Sequence, residues 1–266
     1  MTTTKRALLI LIQSLNDIKS NLNNIIEASI THASESLFVY ISPNTTTTTT
    51  TPFKPTLLSN DRYLIKYITN NFYQKSFHLN PKLNVNCLLS NILTTSIKQP
   101  CLNYDLIITD LLQIEKNSGL KQFCLEYLSP STNNDLIDVY NIKVNNQSKS
   151  DETFHLIDSI DHENDLIFAQ KSFDFSIVAG TFDRLHIGHK ILLSESVLLT
   201  KKKLLIGITD EAMIKKKLLY ELIEPLNIRI DNVRRFLNLI APHLEIEFAP
   251  LIDPFGPSII ERDYQV

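Results

Sequence analysis

The stretch from Ile177 to Leu199 most narrowly limits what this chain can fold into. Ile177-Val178-Ala179 is an apolar run that reads as a buried strand, and Gly180 ends it. Thr181-Phe182-Asp183-Arg184-Leu185-His186-Ile187-Gly188-His189 follows as a tight turn, and Lys190 to Leu199 has the pattern of a helix. Strand, glycine turn and helix in that order build the opening unit of an α/β sheet. A helix N-terminus offers unpaired N–H groups and a positive dipole end, and both favour phosphate. His186 and His189 lie three residues apart, so on a first helical turn both face one pocket. Two imidazoles beside a dipole end suit a triphosphate better than a protein core. The segment predicts a nucleotide site.

Glycine usage points the same way. The chain has 5 glycines, and Gly180, Gly188, Gly207 and Gly256 all lie in its last third. In so glycine-poor a sequence each marks a backbone need. Gly207 sits inside Leu204-Leu205-Ile206-Gly207-Ile208, where a glycine signals a bulge or a group pressed against the backbone.

The remaining composition excludes more than it suggests. A length of 266 residues accommodates two modest domains, and a net charge of −3 gives no general case for nucleic acid. Positive charge is local instead, in Lys201-Lys202-Lys203 and Lys215-Lys216-Lys217. Cys87, Cys101 and Cys124 are odd in number and lack CxxC spacing, which predicts neither disulfides nor zinc and fits a reducing compartment. The apolar run Ala7 to Ile12 after Lys5-Arg6 is short for a signal peptide and reads as a strand. No run reaches the length of a membrane span. The expectation is a soluble, cytoplasmic protein that binds neither nucleic acid nor membrane, with no protein-held metal.

Residues 1–128 predict an α/β domain with a largely parallel sheet. Strands are expected at Ala7 to Ile12, Leu37 to Ile41, Leu83 to Leu89 and Tyr104 to Thr109. Helices are expected over Leu15 to Ile30 and Asp61 to Phe77. Thr45 to Thr51, seven threonines between Pro43 and Pro52, reads as a solvated loop insertion. Residues 129–172, rich in Ser, Asn and Asp, read as a linker or loose connection. His155 and His162 within it find nothing to complete a metal site.

Residues 173–266 predict the second domain. Asp174 to Ala179, Lys203 to Ile208 and Leu244 to Phe248 are its strands, with helices over Gly188 to Thr200 and Asp210 to Tyr220. A further helix opens at Glu224-Pro225 and carries Leu226, Ile230, Val233, Leu237 and Ile240 on one face. Strand–helix–strand–helix–strand is the first half of a doubly wound sheet.

Gly180-Thr181-Phe182-Asp183, followed by His186-Ile187-Gly188-His189, resembles the signature of HxGH nucleotidyltransferases. Four downstream blocks are similar to the eukaryotic phosphopantetheine adenylyltransferases of coenzyme A synthesis. They are Gly207-Ile208-Thr209-Asp210-Glu211, Lys215-Lys216-Lys217, Glu221 to Pro225 and Asp253-Pro254-Phe255-Gly256-Pro257. The resemblance covers about Phe173 to Pro257 and implies a Rossmann-like nucleotidyltransferase domain preceded by a smaller α/β domain. It implies transfer of AMP from ATP to 4′-phosphopantetheine, giving dephospho-coenzyme A and pyrophosphate, with Mg²⁺ accompanying ATP.

By the same resemblance His189 stabilises phosphate charge in the transition state, and His186 contacts the phosphates. Thr181 holds the acceptor phosphate, Phe182 lies against the nucleotide, and Lys215 or Lys217 bridges the substrates. Gly180, Asp183 and Gly188 belong to the same ATP-binding turn. Arg229 matches the arginine of the family's Glu-Arg pair, although Asn227 and Ile228 precede it here.

The family also carries a Ser-Ser-(Ser/Thr)-x-x-Arg type motif that grips the ATP phosphates. This chain has no Ser-Ser dipeptide, and Ser258 is its sole serine after Thr200. The second domain therefore reads as lacking its C-terminal part, which leaves its first strand as a sheet edge. Two other readings fit the HxGH block: a catalytically silent paralogue that binds nucleotide or coenzyme A, and another nucleotidyltransferase such as a cytidylyltransferase. A class I aminoacyl-tRNA synthetase would carry a KMSKS-type lysine motif, which is absent.

Overall fold

A computed structural model of the chain describes residues 6–41, 61–89, 102, 104–110, 138–142 and 172–252. The chain divides into two compact units, Met1–Lys171 and Ser172–Val266. The threonine run, the stretch holding His155 and His162, and the block Asp253 to Pro257 lie outside the described residues.

The first unit is built on a five-stranded sheet of order β3-β2-β1-β4-β5, with all four pairings parallel. Its strands are β1 (Arg6–Leu11), β2 (Ser36–Ile41), β3 (Asn84–Leu88), β4 (Leu106–Thr109) and β5 (Asp138–Asn141). Ala7 to Leu11 are buried without alternation, as expected of a strand covered on both faces. Two features differ from the sequence reading. The helix expected over Leu15 to Ile30 is two helices, α1 (Leu15–Ser20) and α2 (Leu22–His32). Asn21 marks the break: its backbone leaves helical geometry (φ −110°, ψ 11°), its N–H is shared between the Asp17 (3.1 Å) and Ile18 (3.2 Å) carbonyls, and its side-chain amide also donates to the Asp17 carbonyl (3.0 Å). The segment 129–172, read as a connection, contributes β5, in register with β4 through Leu106–Asp138 to Thr109–Asn141. Helix α3 (Asp61–Leu79) buries Ile65, Ile68, Phe72 and Tyr73.

Asp110 ends β4 and is fully buried, accepting the Ile12 N–H at 2.8 Å and the Gln13 N–H at 3.3 Å. Burial pushes its carboxyl up to about 6 from 3.8, against the lowering effect of those hydrogen bonds. A raised carboxyl stabilises the fold fully below the unfolded value of 3.8, and that contribution is lost as pH rises through about 6. Thermal unfolding followed from about pH 4 to about pH 7 is expected to show stability falling up to about pH 6 and levelling above it, and Asp110→Asn should flatten that slope. An unchanged slope in the variant would rule the carboxyl out as its source.

The second unit is a three-stranded parallel sheet of order β6-β7-β8, made of β6 (Phe173–Gly180), β7 (Thr200–Thr209) and β8 (Glu245–Leu251). Among the described residues β6 pairs on one side only, as an edge beside buried β7. Helix α4 (Ile187–Leu199) connects β6 to β7 and buries Leu193, Val197 and Leu198. Gly207 is tight because a Cβ there would meet Leu251 Cδ2 at 2.9 Å and Ala179 Cβ at 3.2 Å. The close group is thus a neighbouring side chain.

The helix expected from Asp210 to Tyr220 is only one turn, α5 (Glu211–Ile214), capped by the Asp210 carboxylate on the Glu211 N–H at 2.6 Å. Beyond it Leu218 is 92% exposed and Leu219 takes φ 59°. Those leucines have no core to face, so the apolar spacing does not sustain a helix. A short 3-10 turn, Tyr220–Leu222, follows.

Helix α6 (Leu226–Ile240) starts one residue later than expected, with Pro225 as its cap rather than its first helical residue. Its buried face is Arg229, Val233, Phe236, Leu237 and Ile240, while Leu226 and Ile230 are only half-buried. The stripe is rotated towards Arg229 and Phe236.

Candidate active site

The site is built where β6 and β7 end. After Gly180 the backbone makes the turn Thr181 to Arg184, in which Phe182 (φ 52°) and Arg184 (φ 41°) are both left-handed. Each costs on the order of 1–2 kcal/mol for a non-glycine residue, so surrounding contacts must impose the shape. Phe182 is one of those contacts. Expected against the nucleotide, its ring is 0% exposed. It lies 3.2 Å from where a Gly180 Cβ would stand, and its centroid is 5.1 Å from that of His189. A ring with no exposed surface cannot stack on a ligand; it braces the turn and His189 from behind.

His186 caps α4, its Nδ1 accepting the Gly188 N–H at 3.2 Å. Gly188 leaves room for that ring: a Cβ there would meet it at 3.2 Å, so the ring would have to shift. His186 and His189 stack with centroids 3.9 Å apart, so the two histidines do share one pocket wall. His189 Nδ1 is buried and has no hydrogen-bond partner among the described residues. Burial holds His189 below the usual histidine value of 6.5; His186 adds to the depression and Asp183 opposes it. Protonation would place a charged N–H where no acceptor waits, so the ring is neutral at pH 7.

All three lysines of the triplet are exposed, and one of them bonds to the turn. Lys217 Nζ donates to the Thr181 hydroxyl at 2.5 Å. Lys215 caps the end of α5, and no hydrogen bond ties its side chain to the described residues. The Thr209 hydroxyl donates to the Gly180 carbonyl at 3.2 Å and lies 3.4 Å from the Thr181 hydroxyl. Thr209 is a site residue that the sequence did not single out; its position at the end of β7, one residue past the Gly180–Ile208 pair, was the available signal.

Residues 222 to 229 clasp the turn from below. The Glu224 N–H donates to Asp183 Oδ1 (2.9 Å), and the Arg184 N–H donates to Glu224 Oε2 (3.1 Å). Arg184 also donates to the Leu222 carbonyl (2.6 Å) and pairs with Asp183 Oδ2 (2.8 Å). Asp183, expected among the ATP-binding residues, thus spends both carboxylate oxygens on the protein. Arg229, also expected to bind substrate, is 0% exposed. It donates through Nη1 to the Thr181 carbonyl and through Nε to the Glu224 carbonyl, each at 2.8 Å. A ligand cannot reach it in this arrangement.

Among the described residues no group of three His, Cys, Asp or Glu side chains could hold a metal ion. None of their helices is long and apolar enough to cross a membrane.

Comparison with known proteins agrees with this architecture. Residues 177–253, within the second unit, match the cytidylyltransferase-like family model, in keeping with the Rossmann-like α/β arrangement of that unit. The chain is 39% identical over 112 residues to the phosphopantetheine adenylyltransferase of Saccharomyces cerevisiae, covering 42% of this chain and 37% of that one. It is 34% identical over 85 residues to the phosphopantetheine adenylyltransferase of Pyrobaculum aerophilum, covering 32% and 54%. An uncharacterized protein of Schizosaccharomyces pombe is 35% identical over 88 residues, covering 33% and 28%. The chain spans about half or less of the length of these three relatives. No solved structure matches it.

Proposed function

We propose that this chain is a phosphopantetheine adenylyltransferase. The observation that carries the reading is the convergence, at the carboxyl ends of β6 and β7, of the stacked His186–His189 pair with the Lys217–Thr181 contact. One side suits a triphosphate and the other a second phosphate, which is what joining two phosphate-bearing substrates requires. The similarity to two phosphopantetheine adenylyltransferases supports the choice of substrates.

In this reading an oxygen of the 4′-phosphopantetheine phosphate attacks the α-phosphorus of ATP. That new P–O bond forms as the bond between the α-phosphorus and its bridging oxygen breaks, and pyrophosphate leaves. The nucleophile is already an anion, so no base is needed, and catalysis is positioning plus charge stabilisation. Neutral His189 donates a hydrogen bond from Nε2 to the phosphate oxygens as charge builds, with His186 and the start of α4 beside it. Lys217 leaves the Thr181 hydroxyl to bridge the incoming phosphates, and Thr181 holds the acceptor. Phe182 shapes the turn. Mg²⁺ enters with ATP as part of the substrate. The scattered cysteines suit a reducing compartment such as the cytoplasm.

The test is pyrophosphate release by the purified chain with MgATP and 4′-phosphopantetheine, run in parallel with CTP. Release that needs both ATP and the acceptor is the expected result. Faster release with CTP would replace this reading with a cytidylyltransferase. Silence with both nucleotides would reject transfer by this chain and favour a protein that only binds nucleotide or coenzyme A.

A further inference from the structure

Arg229 is a costly residue to bury for stability alone. Its guanidinium is wholly removed from solvent, and Nη2 finds no partner among the described residues. The surrounding negative charge comes from Asp183, Asp210 and Glu224, none of which makes a paired salt bridge to it. An apolar side chain of similar volume would avoid that desolvation, and such replacements often leave a fold as stable or more so. What an apolar side chain cannot do is hold two backbone carbonyls at once. Those carbonyls belong to Thr181, directly before the left-handed Phe182, and to Glu224, whose carboxylate and N–H grip the same turn.

We infer that Arg229 is a positioning residue: by fixing the Thr181 carbonyl it aims the Thr181 hydroxyl and the amides after it at the acceptor phosphate. The inference rests on the reading that Thr181 takes that phosphate. Thr181 is free at χ1 but not at its carbonyl; with the carbonyl pinned, the hydroxyl stays beside Lys217 and Thr209. Glu224 is held by the same guanidinium, so the clasp and the turn move as one body. Arg229 touches no reacting atom and acts through Thr181. A misplacement of the order of an ångström in such a turn is worth about 10²-fold.

The experiment is calorimetric titration of 4′-phosphopantetheine and, separately, of ATP into the whole chain. Wild type, Arg229→Met and Arg229→Lys are compared, each with Thr181 present and in a Thr181→Ala background. With Thr181 present, Arg229→Met is expected to weaken the acceptor about 10- to 100-fold and ATP less than about 3-fold. In the Thr181→Ala background the same substitution should cost the acceptor less than about 3-fold, because the group it aims is gone. Lysine can reach one carbonyl but not both, so Arg229→Lys should fall between, and it serves alone if the methionine variant does not fold. An equal loss of acceptor in both backgrounds would overturn the inference, since a merely structural role would not depend on Thr181. ATP weakening as much as the acceptor would overturn it too. A wild-type chain that binds the acceptor but releases no pyrophosphate rejects the proposed reaction and leaves the Arg229 result readable. One that binds no acceptor overturns both.

Discussion

Replacing His189 with alanine is expected to lower kcat by about 10²–10³-fold while leaving the KM for both substrates within a few-fold. The reasoning starts from the ring's environment. His189 is braced by Phe182, stacked on His186 and kept neutral by burial, so its ring is oriented before substrate arrives, and in the proposed reaction Nε2 carries the N–H. A donor fixed in advance contributes most where charge develops, and alanine removes it without disturbing ground-state contacts made by the turn and by Lys217. His189→Gln, whose amide can donate from a similar reach, should recover part of the loss. The fold should survive, because the buried core of α4 is Leu193, Val197 and Leu198.

A second consequence concerns pH. The folded histidine lies below 6.5, so its contribution to stability is present above 6.5 and is lost as pH falls through its folded value. The alanine variant should therefore lose part of the wild type's acid-side destabilisation. Equal kcat in wild type and variant, measured by pyrophosphate release, would remove His189 from the chemistry.

The fold around this histidine was legible because its signals are local. Strand, glycine, turn and helix lie in one unbroken stretch, and scarcity made each glycine informative. Gly188 proved to be the space that the His186 ring needs, and Gly207 the space that Leu251 needs. Parallel order in both sheets followed from alternating helices and apolar runs. What the sequence hid was depth. Arg229 matches a motif that implies a ligand contact, yet it is buried. The clue is present: Arg229, Val233, Phe236, Leu237 and Ile240 repeat at helical spacing, a stripe that competes with the one through Leu226 and Ile230. Phe182 departs from expectation for a related reason: its backbone is left-handed and its ring is buried, and no propensity announces a non-glycine residue there. The clasp between Asp183, Arg184 and Glu224 joins residues about forty positions apart, beyond any local pattern.

Three consecutive lysines look alike in sequence, and the structure separates them into a sharp contrast. Lys217→Met is expected to lower kcat/KM for 4′-phosphopantetheine by about 10²-fold or more, whereas Lys215→Met should change it less than about 3-fold. The difference comes from the backbone. Helix α5 lasts one turn, and the chain then coils so that the Lys217 N–H bonds the Ile214 carbonyl at 2.8 Å and its ammonium meets Thr181. Lys215 leaves the same turn towards solvent, where an ammonium is already well hydrated and its loss costs little. In the absence of substrate Lys217 donates to a neutral hydroxyl. A phosphate is the better acceptor, so the ammonium has a reason to move onto it and none to leave. Lys217→Arg should restore only part of the rate, because a planar fork replaces a compact point charge. Steady-state kinetics of the three variants checks the assignment. A large loss from Lys215→Met with Lys217→Met near wild type would reverse it, and would mean that the segment after β7 rearranges when substrate binds.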